Sequence, residues 1–282
     1  MALVTTIEML TKAKKNGYAI CAFNVENMEM AMAVVKAAEE MHAPVIMQTT
    51  PSTVRYANLS LYHANIKALA EASKIPIALH LDHGNSFDLA MQALRVGYTS
   101  IMIDGSHLPF EENVAVTRGV VNACKPSGIS VEAELGKVGG KEDDLDCNDP
   151  GYTEPEDAVR FVNETGVNSL AISIGTAHGL YNGEPKLDMD RLSTINNLVT
   201  IPLVLHGASG LPDSAVKECI ARGISKVNFA TELRIAYSNG VKEYLKDNPD
   251  TFDPKKYGTR GMEFVTNLVK EKIKVCGSDF KA

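Results

Sequence analysis

The chain has no apolar run approaching the ~20 residues that a membrane-spanning helix needs, so no membrane partner is expected. Its five cysteines, Cys21, Cys124, Cys147, Cys219 and Cys276, form no CxxC pair and no zinc-finger spacing. They read as reduced thiols that mostly serve packing. Positive charge is also scarce: 28 Lys and Arg against 35 Asp and Glu give a formal net charge of −7, which argues against a general nucleic-acid binder. An anionic substrate would have to find its positive potential in the site itself. No Pro/Gly/Ser-rich linker splits the chain, and MALVTTIEMLTKAKKNG at its start is an amphipathic helix pattern carrying Lys12, Lys14 and Lys15 rather than a signal peptide. A single domain over residues 1–282 with a cytoplasmic address is the expectation.

What the chain does have is alternation. Short β-branched or apolar runs at 18–24, 43–49, 75–81, 99–104, 129–135, 168–174, 201–206 and 225–230 are each followed by a helix-length pattern. Eight such units predict an α/β fold, a (β/α)8 barrel of the TIM type with extra N- and C-terminal helices. Gly17, Gly97, Gly166 and Gly223 follow helical patterns as stop signals, and Thr153 to Glu156 fits a Thr-x-x-Glu capping box. The segment 136–152, rich in glycine and acidic residues, fits neither period. It reads either as a functional lid or as a solvated acidic excursion.

Polar residues concentrate where the strands end. Asn24 ends strand one, Thr50 follows strand two, and Asp82 and His83 end strand three. Asp104 ends strand four, Glu134 strand five, and His206 strand seven; His178 follows strand six, and Asn228 lies late in strand eight. All fall on the C-terminal rim, where barrel enzymes keep their chemistry. His83, His178 and His206 are each followed by glycine, and three imidazoles on one rim would suit a zinc ion with an open coordination position. In a regular strand Asp82 and His83 cannot point the same way, so Asp82 reads as an acid/base and not as a fourth ligand. His80 reads as a buried support, His107 as a loop residue, and His42 and His63 as structural. Gly179, Gly207, Ala208, Ser209, Asn228, Phe229, Ala230 and Thr231 combine small residues, hydroxyls and helix starts, a setting for phosphate.

The strings HLDHG (80–84), MIDGSHLPFEEN (102–113), VEAELGKVGGKEDD (131–144), GTAHGLY (175–181), LVLHGASG (203–210) and KVNFAT (226–231) resemble the class II, zinc-dependent ketose-1,6-bisphosphate aldolases. The resemblance runs from the first helix to the last. It implies reversible cleavage of a ketohexose bisphosphate to dihydroxyacetone phosphate and glyceraldehyde 3-phosphate, with zinc on His83, His178 and His206. It implies that Asp82 exchanges a proton with the hydroxyl on carbon 4 and that Glu142 moves the proton at carbon 3. Asp104 and Glu134 match a second or displaced metal position. Gly179, Gly207, Ser209, Asn228 and Thr231 match the surroundings of dihydroxyacetone phosphate, with a monovalent cation, Na+ or K+, nearby. Members are generally dimers or tetramers, and an activating partner subunit belongs to some.

Fructose-bisphosphate members usually carry a lysine soon after the HG of strand six, where this chain reads His178-Gly179-Leu180-Tyr181-Asn182. Ala230 and Thr50 also depart from them and resemble the tagatose-1,6-bisphosphate branch. Tagatose bisphosphate is therefore the favoured substrate, and fructose bisphosphate, in glycolysis or gluconeogenesis, the alternative. Lys186, Arg55 and Arg260 are candidates for the second phosphate. A Schiff-base aldolase would need a lysine at a central strand end. Strand six has none, and Lys226 is expected at the opposite rim. A barrel metallohydrolase commonly starts with an HxH pair on strand one, which here ends in Phe23-Asn24. A non-catalytic partner would not need Asp82, three histidines and Glu142 intact.

Overall fold

All eight anticipated runs form strands, each shorter or shifted at its ends. The computed structural model describes residues 2–142, 145–147, 151–179, 181, 183 and 185–282, without the side chains of 141, 142 and 145–147. In chain order the strands are β1 (Ile20–Asn24), β2 (Val45–Thr49), β3 (Ile77–Gly84), β4 (Ser100–Ile103), β5 (Ser130–Leu135), β6 (Gly139–Glu142), β7 (Leu145–Cys147), β8 (Ser169–Ile172), β9 (Ala177–His178), β10 (Leu203–Leu205) and β11 (Ile224–Phe229). Eight of them close a parallel barrel in the order β1-β11-β10-β8-β5-β4-β3-β2. Cys21 of β1 pairs with Val45 on one side and Val227 on the other, which seals the ring.

The runs form strands because their Ile, Val and Leu side chains are buried on both faces, between the barrel interior and the surrounding helices. Helix boundaries follow local chemistry. Ser86 accepts from the Leu89 amide at 3.2 Å to start Phe87–Val96, and Gly97 ends it. Gly17 and Gly166 stop their helices as expected. The expected capping box at Thr153 does not form. Thr153 Oγ1 instead donates to the Leu135 carbonyl and accepts from the Ser173 amide, tying the end of β5 to the loop after β8, while the helix begins at Pro155.

The helix Thr6–Asn16 closes the N-terminal mouth, with Thr6 Oγ1 2.7 Å from Ser130 Oγ and 3.2 Å from Ser100 Oγ. The helix Pro254–Cys276 wraps the barrel against Met28–Glu40 and Thr231–Asp247. These are the two extra terminal helices. Among the described residues, no helix is long and apolar enough to cross a membrane.

The described strands of segment 136–152 lie in a small sheet outside the barrel. β6 and β7 form an antiparallel hairpin, with a bridge between Lys137 and Gly151 at its base. β6 also runs parallel to β9, pairing Gly140 with His178. At Gly140, with φ +84°, a Cβ would collide with the His178 carbonyl, so this strand reaches the rim only as glycine.

Candidate active site

Asp82 lies buried near the end of β3 in a cage of carboxamides. Its Oδ2 accepts from Asn24 Nδ2 at 2.8 Å and Gln48 Nε2 at 3.1 Å, and its Oδ1 from Asn228 Nδ2 at 3.2 Å. Gln48 Nε2 also donates to Asn24 Oδ1 at 2.8 Å. The barrel register aligns these groups: Asn24 pairs with Gln48 across β1 and β2, and Gln48 with His80 across β2 and β3. Asn228 Oδ1 and Gln48 Oε1 are buried without a hydrogen-bond partner.

The chain solves the Asp82–His83 conflict with a bulge. Between Leu81 and Gly84 the register against β4 shifts, placing three steps of β3 opposite the two from Ile101 to Ile103. His83 takes a left-handed φ of +47°, a conformation that costs a non-glycine residue about 1–3 kcal/mol and is most often found at functional sites. Asp82 therefore turns toward the carboxamides while His83 turns toward the other imidazoles. His83 lies edge-on to His178 and His206, with ring centroids 5.2 and 4.7 Å away. His83 Nδ1 is 2.7 Å from Asp104 Oδ2, which orients the ring.

These groups fit a divalent metal. His83, His178 and His206 each offer a ligand atom within 4.8 Å of the others, and so do His83, Asp104 and Glu134. His206 Nδ1 and Glu134 Oε2 sit 3.1 Å apart, both buried, yet neither makes a well-aligned hydrogen bond. Atoms left in that state are costly unless something else binds them. Burial raises the Asp104 carboxyl, but hydrogen bonds from His83 and Ser106 outweigh it and hold it well below the usual carboxylate range. Burial lowers His206, and the Glu132 and Glu134 carboxylates overcome this to lift it to about 9.

Beneath the imidazoles lies a layer that the sequence did not reveal. Glu132 on β5 accepts from Lys226 Nζ on β11 through both oxygens at 2.9 Å, and its Oε1 is 3.1 Å from His206 Nε2. Lys226 is thus not at the opposite rim. It is the third residue of β11, fully buried, and its ammonium ends just under the site. His80 is the buried support expected of it, with Nδ1 2.7 Å from Ser100 Oγ. Burial, with Lys226 nearby, pushes its pKa well down.

Beside the imidazoles a pocket is lined by His178, Gly179, Gly207, Ser209, Asn228, Ala230, Thr231 and Arg234. It opens on the start of the 17-residue helix Thr231–Asp247, where the first amides point outward. Ser209 Oγ accepts from the Ala230 amide at 3.3 Å. Tyr181 joins the two loops that shape the pocket: its hydroxyl donates to the Gly207 carbonyl at 2.6 Å and accepts from the Ala177 amide at 2.9 Å. Gly207, at φ +65°, brings its backbone against Ala177, whose carbonyl would lie 2.6 Å from an added Cβ.

Other anticipated residues contribute less. Phe229 stacks on Phe23 in the core at 5.8 Å and Ala208 is buried, and neither is among the residues that line the pocket. Thr50 caps the helix Pro51–Ala57, with its hydroxyl near Ser52 and Thr53. Arg55 and Lys186 are exposed away from the pocket lining, and Arg260 is paired with Glu243 and Glu263 on the outer helices. Among the described residues, the cation that lines the pocket is Arg234, held to Glu26 at 2.7 Å. Its signal was its position one turn into the helix that the small-residue motif begins. The side chain of Glu142 and all of Leu180 and Asn182 lie outside the described residues.

The model of the family described as fructose-bisphosphate aldolase class-II matches residues 4–281. The YdjI aldolase from Escherichia coli K12 is 36% identical, with 99% of each chain covered and a TM-score of 0.89. A candidate fructose-1,6-bisphosphate aldolase from Coccidioides immitis is 32% identical over 97% of this chain and 96% of its own, with a TM-score of 0.88. The fold also matches fructose-bisphosphate aldolase from Campylobacter jejuni at a TM-score of 0.85 and 23% identity, covering 100% of this chain and 97% of that one. With its closed barrel, its gathered imidazoles and a family match over nearly its whole length, the chain belongs to the class II fructose-bisphosphate aldolase family of metal-dependent lyases.

Proposed function

We propose that this member is a zinc-dependent aldolase that reversibly cleaves tagatose 1,6-bisphosphate, in preference to fructose 1,6-bisphosphate, to dihydroxyacetone phosphate and glyceraldehyde 3-phosphate. The observation that carries the reading is the buried Asp82 carboxylate, fixed by three carboxamides on the rim where three imidazoles converge. His83, His178 and His206 would hold the metal, with Asp104 and Glu134 as an alternate position. Bound there, the metal supplies Lewis-acid stabilisation for the negative charge that develops on substrate oxygen as the bond between carbons 3 and 4 breaks.

The chain's own groups do the rest. Asp82 takes the proton from the carbon 4 hydroxyl, and the donors from Asn24, Gln48 and Asn228 keep the carboxylate aimed. Glu142, at the end of the strand that lies on His178, returns a proton to carbon 3 when the hairpin covers the substrate. Gly179, Gly207, Ser209, Asn228, Ala230 and Thr231 receive the phosphate of dihydroxyacetone phosphate through small side chains and helix-start amides, with a monovalent cation beside them. Arg234 gives this pocket its positive charge.

The tagatose preference rests on Thr50, Ala230 and the missing lysine after His178-Gly179. The two sugars differ only in configuration at carbon 4, so one polar contact near Asp82 can set the choice. The test is kcat/KM for both bisphosphates. A higher value for tagatose bisphosphate is expected, and a higher value for fructose bisphosphate would reverse the preference while keeping the aldolase. Dihydroxyacetone phosphate released from neither would reject the reading.

A further inference from the structure

Three neighbouring groups in the barrel interior have no part in the proton transfers: Glu132, Lys226 and the lower nitrogen of His206. Glu132 and Lys226 are 1% and 0% exposed, so their charges are carried in a medium where a single unpaired charge is very costly. A buried ion pair of this kind is a poor source of stability, because well-packed apolar side chains of similar size often do as well or better. Its retention calls for another reason, and the geometry supplies one. Lys226 can only donate, and its ammonium sits 2.9 Å from both oxygens of Glu132, which fixes the plane of the carboxylate and leaves it an acceptor. The only ring nitrogen of His206 near that carboxylate is Nε2, at 3.1 Å, so Nε2 carries the proton. Nδ1 lies 3.1 Å from Glu134 Oε2 but makes no aligned hydrogen bond there, so it is the nitrogen left to give its lone pair to a metal.

We propose that the Lys226–Glu132 pair is a positioning device for the metal site: it locks the His206 ring and tautomer so that Nδ1 is presented as the ligand atom. This rests on the reading of His206 as a ligand. Glu132 acts on the ring, and Lys226 acts through Glu132. Ser169 Oγ also donates to the carboxylate, 3.4 Å from Glu132 Oε2. The arrangement also occupies the Lys226 amine, which is thereby withdrawn from carbonyl chemistry.

The test compares the wild-type protein with the Glu132→Gln/Lys226→Met double variant, which removes both charges together so that neither is stranded. Zinc affinity is measured by competition with a chelating dye, and the melting temperature is measured on the metal-free proteins. The expected result is a zinc affinity roughly 10- to 100-fold weaker in the double variant, the range for loss of a group that orients a metal-binding histidine, with metal-free melting close to wild type. Equal zinc affinity in a folded double variant would overturn the proposal and leave the pair as core packing. A second measurement needs no variant: nitrogen-15 NMR of the zinc-loaded wild type should place the His206 proton on Nε2, and a proton on Nδ1 would overturn the proposal. A wild-type protein that binds no zinc would instead remove the metal reading itself, and this inference with it.

Discussion

Replacing Asp82 by alanine separates the proton-transfer group from everything around it. The carboxylate's hydrogen bonds go to carboxamides, and Asp82 is not among the residues grouped with the imidazoles, so its loss leaves the donors of His83, His178 and His206 in place. The left-handed turn at His83 belongs to the backbone bulge, which alanine can follow. Three N–H donors lose their acceptor, at about 1–3 kcal/mol each if they stay unsatisfied, a cost that water entering the vacated rim reduces. A general acid/base group contributes about 10²–10⁴-fold to rate, equal to roughly 2.7–5.4 kcal/mol of barrier. The expected variant therefore keeps its zinc, melts a few degrees lower, and cleaves bisphosphate at least about 100-fold more slowly. Metal content by atomic spectroscopy, together with release of dihydroxyacetone phosphate in a coupled assay, reads both properties. Near-normal turnover, or loss of zinc along with activity, would refute the division of labour between Asp82 and the imidazoles.

Glu142→Ala should slow exchange of the carbon 3 proton of dihydroxyacetone phosphate by far more than it weakens binding of that phosphate. Exchange at the wild-type rate would reduce the hairpin to a cover. Gly140→Ala, which sets a Cβ against the His178 carbonyl, should push the hairpin off the rim and lower turnover while leaving the melting of the barrel nearly unchanged; wild-type turnover would show that the strand can yield. Arg234→Gln should raise KM for the bisphosphate about 10-fold or more, as expected for a lost charge-assisted contact, with a smaller effect on non-phosphorylated dihydroxyacetone as an aldol acceptor's partner. Equal losses with and without the phosphate would place Arg234 in the framework with Glu26.

The barrel was legible because a strand buried on both faces shows itself as a short continuous apolar run, and each of the eight runs is punctuated by a helix pattern. The rim residues were legible because polar groups at strand ends stand out against those runs. Glu132, Lys226 and Gln48 were not, since a polar residue inside a strand looks the same whether it faces solvent or a partner 94 positions away, as Glu132 and Lys226 do. The bulge at His83 hid for a related reason: it is set by register against β4 and leaves no pattern within β3 itself. Strands β6 and β7 are joined to each other and to β9 by backbone pairing, and their sequence carries no apolar period that would announce them. Thr153 shows the opposite error. Its spacing to Glu156 suits a helix cap, but a buried Leu135 carbonyl competes for the same hydroxyl and wins.

Metal removal and return tests the aldolase reading most directly. The protein is stripped with a chelator, assayed for release of dihydroxyacetone phosphate from tagatose and fructose 1,6-bisphosphates, reloaded with zinc, and assayed again. Activity is expected to disappear with the metal and to return with it, higher on tagatose bisphosphate. Cleavage that survives complete removal of zinc would contradict that reading.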